Sequence, residues 1–230
     1  MNKTALIVGA SRGLGLGLAR ELHSRSWRVI ATARKPAQAK ALQELTARAS
    51  GQVEIETIDV DKSEDIEGLA QRLSGRRLDL LLLNAGISGP AGRSVENATR
   101  EDVAQVLWTN AIAPLRIAQR LLPQVADGGT VAFMSSALGS IAENTSGGHD
   151  LYRASKVALN MLTRGFALGV ARQRRIPVLC LHPGWVRTDM GGPGAPLEIQ
   201  ESVSGLADVL EATHKQAHRF LDYTGREIPW

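Results

Sequence analysis

The sequence predicts an α/β fold in which one doubly wound parallel sheet carries helices on both faces. Six short runs of β-branched residues or leucine recur along the chain, helix-length segments separate them, and a glycine-rich turn follows the first run. Such alternation is typical of a parallel sheet with right-handed crossovers. The 230 residues suffice for one large core, and there is no internal repeat or Pro/Gly/Ser linker. We therefore expect residues 1–230 to form a single domain.

The apolar runs predict the strands in chain order. They cover residues 5–8, 28–32, 53–58, 78–83, 130–134 and 177–182, and a short strand at 219–222 could close the sheet. Helical spacing or helix-forming composition predicts helices at 14–24, 36–49, 63–73, 99–122, 152–172 and 201–213. We expect Ser63 and Thr99 to be hydroxyl caps, because acidic residues follow each of them.

Composition and charge favour a globular protein and argue against nucleic-acid and membrane partners. The chain is 43% hydrophobic and 22% charged, which is ordinary for a globular protein, and its net charge is only +4. Aromatic residues make up 4%, which argues against a base-stacking surface, so we expect no nucleic-acid partner. No apolar run approaches the ~20 residues that span a bilayer, and no signal segment is recognisable, so we expect no membrane association. The single cysteine, Cys180, fits a reducing compartment, and we expect a cytoplasmic protein.

The turn after the first predicted strand is a candidate dinucleotide site. It reads Gly9-Ala10-Ser11-Arg12-Gly13-Leu14-Gly15 and opens the first predicted helix, where a helix N-terminus is exposed to pyrophosphate. Glycines permit the tight turn and a close approach of the backbone to phosphate. The spacing differs from the usual Gly-x-Gly-x2-Gly pattern, and a purely structural turn is the alternative.

Two arginines predict the choice of cofactor. Arg12 lies in the glycine turn and Arg34 just after the second predicted strand, where a NAD-selective site would carry an acidic residue. Residues 31–35 contain no acid, and two cations favour a 2′-phosphate. We expect NADP(H) to be preferred over NAD(H); the alternative is that both arginines are simply solvated.

Tyr152 and Lys156 form the candidate catalytic pair. They are four residues apart at the start of a helical segment, so their side chains share one face. A cation there would lower the pKa of the phenol from its usual value of about 10 and make it a proton donor near neutral pH. A surface pair on an amphipathic helix is the alternative.

Seven motifs occur in an order that resembles the short-chain dehydrogenase/reductase family. They are Gly9-x3-Gly13-x-Gly15, Asp59-Val60, Asn84-Ala85-Gly86, Asn110, Ser136, Tyr152-x3-Lys156 and Pro183-Gly184-x3-Thr188. The resemblance covers almost the whole chain and implies a Rossmann fold and an oxidoreductase that reduces a small-molecule aldehyde or ketone. Residues 182–192 and 223–230 further resemble the C-factor and sniffer-type carbonyl reductases.

The resemblance implies a role for each of four catalytic residues. Tyr152 would be the general acid in reduction, and Lys156 would lower its pKa and hold the nicotinamide ribose. Asn110 would anchor a water that connects Lys156 to solvent. Ser136 would hydrogen-bond the substrate carbonyl oxygen; Ser135 beside it is the alternative from the residues alone, and the resemblance selects Ser136.

The same resemblance implies the remaining cofactor contacts. Asp59 would meet the adenine amino group, and Thr188 would hold the nicotinamide carboxamide. The cofactor-binding set comprises Gly9, Ser11, Arg12, Gly13, Leu14, Gly15, Arg34, Asp59, Val60, Asn84, Ala85, Gly86, Tyr152, Lys156, Pro183, Gly184, Val186 and Thr188. No metal site is predicted.

Several features depart from the family or stay open. Val8 stands where the family commonly has threonine, which removes one hydroxyl bond near the first turn, and the gap from Ser136 to Tyr152 is longer than usual. The glycine- and proline-rich segment 189–200 is a candidate substrate lid, with an ordinary surface loop as the alternative. The family implies a homodimer through the helices that start near Thr99 and Tyr152. The alternative function is a C-factor-type signalling protein that binds NAD(P) and in which catalysis is dispensable.

Overall fold

A seven-stranded parallel sheet in the order β3-β2-β1-β4-β5-β6-β7 organises the chain. The computed structural model describes residues 3–212 and 218–230, apart from the side chain of Val170. The strands are β1 Thr4–Val8, β2 Arg28–Ala33, β3 Val53–Thr57, β4 Leu78–Leu83, β5 Val125–Met134, β6 Val178–His182 and β7 His218–Asp222. The strand order reverses beside β1, where parallel sheets open a crevice for ligands. The predicted doubly wound Rossmann fold is confirmed.

Helices cover both faces of this sheet. They are α1 Gly13–Ser24, α2 Lys40–Arg48, α3 Ser63–Arg72, α4 Arg100–Leu107, α5 Ala113–Leu121, α6 Asp150–Phe166 and α7 Ile199–Glu211. Successive side chains of a strand point to opposite faces. Ala5 and Ile7 of β1 accordingly enter one core with α1, α2 and α7, whereas Leu6 and Val8 enter the other with α3, α5 and α6.

The predicted helix at 99–122 is interrupted in the structure. A π-helical turn, Trp108–Ile112, lies between α4 and α5. Pro114 has no N–H for the carbonyl of Asn110 four residues earlier, so a regular α-helix cannot continue there. The break falls at a candidate catalytic residue, and π turns are frequent at functional sites.

Other predicted bounds shift by a few residues. Strand β5 starts at Val125 instead of 130, because Gly128 and Gly129 allow an irregular register against β4. Helix α6 gives way to a second π turn, Ala167–Ala171. The region predicted as helix 36–49 begins with a 3-10 turn, Pro36–Gln38. The predicted end of the last helix, Thr213, lies outside the described residues.

One of the two predicted helix caps is confirmed. The hydroxyl of Thr99 accepts the N–H of Asp102 at 3.1 Å, and the Asp102 carboxylate accepts the N–H of Thr99 at 3.0 Å, which is a capping box. Ser63 is wrong as a cap, because it is already the first residue of α3 and Lys62 holds the cap position.

Candidate active site

A cleft of about 370 Å³ opens at the carboxyl ends of the parallel strands. Most of the predicted cofactor-binding residues line this cleft: Gly9, Ser11, Arg12, Gly13, Leu14, Arg34, Asp59, Val60, Asn84, Ala85, Gly86, Tyr152, Lys156, Pro183 and Thr188. The lining does not include the predicted cofactor residues Gly15, Gly184 and Val186, or the predicted catalytic residues Asn110 and Ser136. The loops after β1 to β6 therefore bring residues far apart in sequence to one place.

The glycine turn packs directly against the chain that follows β4. A Cβ on Gly9, which has φ +90°, would lie 2.8 Å from the Cα of Ala85. A Cβ on Gly15 would lie 2.0 Å from the carbonyl oxygen of Gly9. Asn84 fixes this arrangement by donating its side-chain N–H to that same oxygen at 2.7 Å. Asn84 thus braces the glycine turn besides lining the cleft.

The N-terminus of α1 suits an anion. Arg12 holds the cap position but makes no side-chain cap bond, and the first turn contains no acidic residue. The first N–H groups of an α-helix have no partner within the helix. Together with the glycines, these donors form a cradle that fits a dinucleotide pyrophosphate.

Thr32 is a site residue that the sequence reasoning missed. Its hydroxyl accepts the N–H of Gly9 at 3.0 Å, and its carbonyl accepts the N–H of Ala10 at 2.8 Å. The turn therefore keeps a hydroxyl contact although Val8 has none. The signal was present, because Thr32 lies near the end of β2, which neighbours β1, and parallel strands end at the same edge.

The two predicted phosphate-binding arginines differ in their surroundings. Arg12 forms an ion pair with Asp189 at 2.5 Å, and both side chains are largely exposed, at 77% and 74%. This pair joins the glycine turn to the start of the segment 189–200. Arg34 also lines the cleft and makes no ion pair with any residue that the structure describes. Arg34 is therefore more available than Arg12 to bind an anionic group of a ligand.

Ser136 and Ser135 have different partners. Ser136 caps the 3-10 turn Ala137–Gly139, accepts the N–H of Leu138 at 3.2 Å, and hydrogen-bonds with the Tyr152 hydroxyl. Ser135 instead donates its hydroxyl to the side-chain oxygen of Asn160 at 2.7 Å. Only Ser136 thus has its hydroxyl beside the candidate acid.

Burial controls the electrostatics of the Tyr152 and Lys156 pair. The Lys156 ammonium lies 5.5 Å from the centre of the Tyr152 ring and donates to the carbonyl of Met134 at 2.8 Å. Desolvation raises the pKa of Tyr152 to about 12, against a smaller lowering by the Ser136 hydrogen bond. Desolvation also lowers the pKa of Lys156, which is 4% exposed, to about 8. The predicted net lowering of the Tyr152 pKa is therefore wrong, because burial disfavours the charged phenolate.

Asn110 holds the loop that follows β4. Its side-chain oxygen accepts the N–H of Ile87 at 2.8 Å, and its side-chain N–H groups donate to the carbonyl of Ile87 at 2.8 Å and to the Ser155 hydroxyl at 3.0 Å. A Cβ on Gly86 would lie 3.2 Å from the Asn110 oxygen and 3.7 Å from the Lys156 nitrogen. The Asn110 oxygen and the Lys156 nitrogen thus both lie within 4 Å of one point beside Gly86.

The residues after β6 are held in place by hydrogen bonds and contacts with the glycine turn and within the segment that follows β6. Thr188 accepts the N–H of Gly191 at 3.1 Å through its hydroxyl, and its methyl lies 3.7 Å from where a Cβ on Gly13 would be. Val186 is buried, pairs with Leu197 through the backbone and does not line the cleft. The far end of the segment 189–200 is thereby anchored, and its exposed side chains at the cleft are Asp189 and Met190.

Within the described ranges, no helix is long and apolar enough to cross a membrane. The same ranges hold no group of three or more His, Cys, Asp or Glu side chains suited to a metal ion.

Fold, glycine cradle and the Ser136, Tyr152 and Lys156 group together define a nucleotide-dependent oxidoreductase of the Rossmann class. The family model described as short chain dehydrogenase matches residues 3–196. The chain belongs to this family, and it is an NAD(P)-dependent short-chain dehydrogenase/reductase.

Relatives refine this assignment. The C-signal of Myxococcus xanthus is 41% identical over 156 residues, which are 66% of this chain and 93% of that protein. A carbonyl reductase from Pseudomonas aeruginosa PAO1, solved in complex with NADP, is 42% identical, with a TM-score of 0.91 and 100% of both chains covered. The carbonyl reductase Sniffer of D. melanogaster is 32% identical, also with a TM-score of 0.91 and 100% coverage of both chains. The chain is thus a carbonyl reductase-like member of the family.

Proposed function

We propose that the protein reduces an aldehyde or ketone to an alcohol, with NADPH as the hydride donor and Tyr152 as the general acid. The observation that carries the proposal is that Tyr152 and Lys156 line the same cleft as the glycine cradle, with the Ser136 hydroxyl hydrogen-bonded to Tyr152. The similarity to proteins named as carbonyl reductases supports it.

In this mechanism the chain's own side chains handle the proton. Bound NADPH would supply the hydride to the carbonyl carbon. Negative charge then develops on the carbonyl oxygen, where the Ser136 hydroxyl stabilises it and Tyr152 delivers its proton. A pKa of about 12 means that Tyr152 carries that proton at neutral pH. Lys156, charged below its pKa of about 8, stabilises the phenolate left behind.

Asn110 would complete the path by which Tyr152 regains a proton. Pro114 cannot donate an N–H to the Asn110 carbonyl, and the Asn110 amide and the Lys156 ammonium both border the space beside Gly86. We infer a water held at Asn110 that links Lys156 to solvent.

The experiment for the proposed function is turnover with purified protein. We expect oxidation of NADPH, followed at its nicotinamide absorbance, with a reactive carbonyl such as a quinone or an α-diketone. Exposed Trp185 and Met190 near the cleft favour substrates with an apolar part, over which the segment 189–200 would act as a lid. Tight binding of NADPH without turnover of any carbonyl would instead support the second candidate, a signalling protein in which catalysis is dispensable, which the similarity to C-signal favours.

We expect NADPH to bind more tightly than NADH, because Arg34 lines the cleft without a described acidic partner, and Arg12, paired with Asp189, lies on the same cleft. Arg34→Gln should weaken NADPH binding by about tenfold to a hundredfold, the value of one or two charge-assisted hydrogen bonds. NADH binding should change by less than about twofold. Fluorescence titration of both nucleotides measures this, with Arg28→Gln, exposed at the other end of β2, as the matched control. Tighter binding of NADH by the unaltered protein would contradict the proposed cofactor.

The protein is proposed to be a cytoplasmic homodimer. Helix α4 packs on α6, and this region exposes the apolar side chains of Val103, Ile112, Met161 and Leu162. Exposed apolar patches of this kind are typical of protein interfaces. We expect gel filtration with light scattering to give the mass of two chains, and Met161→Glu to shift it toward one. The mass of a single chain for the unaltered protein would refute the dimer.

A further inference from the structure

Helix α6 carries a third buried polar side chain in register with the catalytic pair. Tyr152, Lys156 and Asn160 follow one another at intervals of four residues, so they share one face of the helix. Asn160 is only 5% exposed. A buried amide needs partners for both its oxygen and its N–H groups, and those partners indicate what it does.

Both partners of Asn160 lie in the short turn that carries Ser136. The Asn160 oxygen accepts the hydroxyl of Ser135 at 2.7 Å, immediately before Ser136. The Asn160 nitrogen donates to the carbonyl of Gly139 at 3.1 Å, at the end of the 3-10 turn. One amide therefore holds both ends of the segment that contains the Ser136 hydroxyl.

Lys156 holds the same segment from one helical turn earlier. Its ammonium donates to the carbonyl of Met134 at 2.8 Å, and a Cβ on Gly139 would lie 2.8 Å from the Lys156 Cβ. The 3-10 turn is thus packed tightly against α6 at Gly139. Since Tyr152 projects from the same helix, α6 sets the position of both hydroxyl groups that face the substrate carbonyl.

We propose that Asn160 is a positioning residue for carbonyl reduction, which fixes the Ser136 hydroxyl relative to Tyr152 through Ser135 and Gly139. This inference rests on the proposed reductase function. Asn160 does not touch the substrate or the cofactor cleft; it acts through the turn. Misplacement of a reacting group by about 1 Å can cost on the order of a hundredfold in rate, so a clamp at this place has a large effect.

The first test is Asn160→Leu, which keeps the approximate volume and removes both hydrogen bonds. We expect kcat for a reactive carbonyl to fall by about tenfold to a hundredfold. The Kd of NADPH should stay within about twofold, because the glycine cradle is untouched. Ser135→Ala should lower kcat in the same direction, and the double variant should be no slower than Asn160→Leu alone, as expected for residues that act as a unit.

The second test, Asn160→Asp, gives a readout that a merely structural role would not produce. When the introduced carboxyl group is protonated, it can still accept from Ser135 and donate to Gly139, whereas an ionised carboxylate cannot donate. Burial raises the pKa of a carboxyl group, and the Lys156 ammonium, which donates to the neighbouring carbonyl of Met134, lowers it; desolvation is the larger effect for both Tyr152 and Lys156 on this helix. We therefore expect kcat of this variant, relative to the unaltered protein, to recover toward pH 6 and to fall toward pH 9.

Thr163→Val is the matched control. Thr163 is buried on the same helix and donates its hydroxyl to the carbonyl of Asn160 at 2.8 Å, and its other hydrogen-bond partners are Cys180 and His218, not residues 135–139 of the turn. This variant should lose stability yet keep kcat within about twofold. Equal losses of kcat in Thr163→Val and Asn160→Leu, or an unchanged kcat in Asn160→Leu, would overturn the inference. Absence of carbonyl turnover in the unaltered protein would instead refute the proposed function.

Discussion

Tyr152→Phe is expected to lower kcat for carbonyl reduction by at least about a hundredfold to ten-thousandfold, the usual contribution of a general acid. The variant removes the hydroxyl that bonds to Ser136 and keeps the ring beside the Lys156 ammonium. No other described residue places a phenol beside Ser136, because the only other tyrosine of the chain is Tyr223. Binding of NADPH should change by less than about twofold, as measured by fluorescence titration beside steady-state turnover.

The control for this variant is Tyr223→Phe. Tyr223 packs against Gly184 and Gly205 and is not part of the cleft lining, so this variant should retain turnover. The unaltered protein and the control should also share the same pH dependence of kcat. Full activity in Tyr152→Phe would show that another group delivers the proton, and the mechanism would fall.

Gly15→Ala is expected to abolish tight NADPH binding. The added methyl would lie 2.0 Å from the carbonyl oxygen of Gly9 and 2.7 Å from the side-chain nitrogen of Asn84. The first of these is a backbone atom in a turn that Thr32 and Asn84 hold in place, so it cannot move without opening the cradle. We expect Kd to rise by at least about a hundredfold, with a loss of about 1–3 kcal/mol in the free energy of unfolding from overpacking.

A glycine elsewhere in a helix separates this effect from the general cost of a methyl group. Gly165 lies exposed in α6, and a Cβ there would meet nothing within 4 Å. Gly165→Ala should stabilise the protein by up to about 1 kcal/mol and leave NADPH binding unchanged. Calorimetric unfolding and nucleotide titration of both variants measure the contrast. Tight NADPH binding by Gly15→Ala would mean that the turn adapts and is not a rigid cradle.

Local patterns in the sequence were sufficient to predict the fold. Apolar runs of strand length and segments of helical spacing predicted the order of elements, because side-chain direction repeats every two residues in a strand and every 3.6 in a helix. The same periodicity put Tyr152 and Lys156 on one face of α6. The predicted bounds of strands and helices differ from the observed ones where glycine or proline alters the backbone, as at Gly128 in β5 and at Pro114 after the π turn.

The site was predictable as far as residue order allowed. The cleft gathers the glycine turn, Asp59, Asn84, Tyr152 and Lys156 because each follows a parallel strand or opens the helix after one. The sequence offered no sign that Asn84 braces Gly9. That contact depends on how closely two loops approach once the sheet has formed.

Residue identity and spacing alone indicate which residues can do chemistry: a glycine turn at the start of a helix, two cations without an acid, and a phenol four residues from an ammonium. The partners and the pKa values of these groups depend on the folded chain. It paired Arg12 with Asp189 across 177 residues, and it surrounded Tyr152 so closely that burial raises its pKa to about 12 instead of lowering it. Spacing along a chain fixes the direction in which side chains project from a helix or strand. Desolvation and long-range hydrogen bonds depend instead on what the folded chain packs around each group.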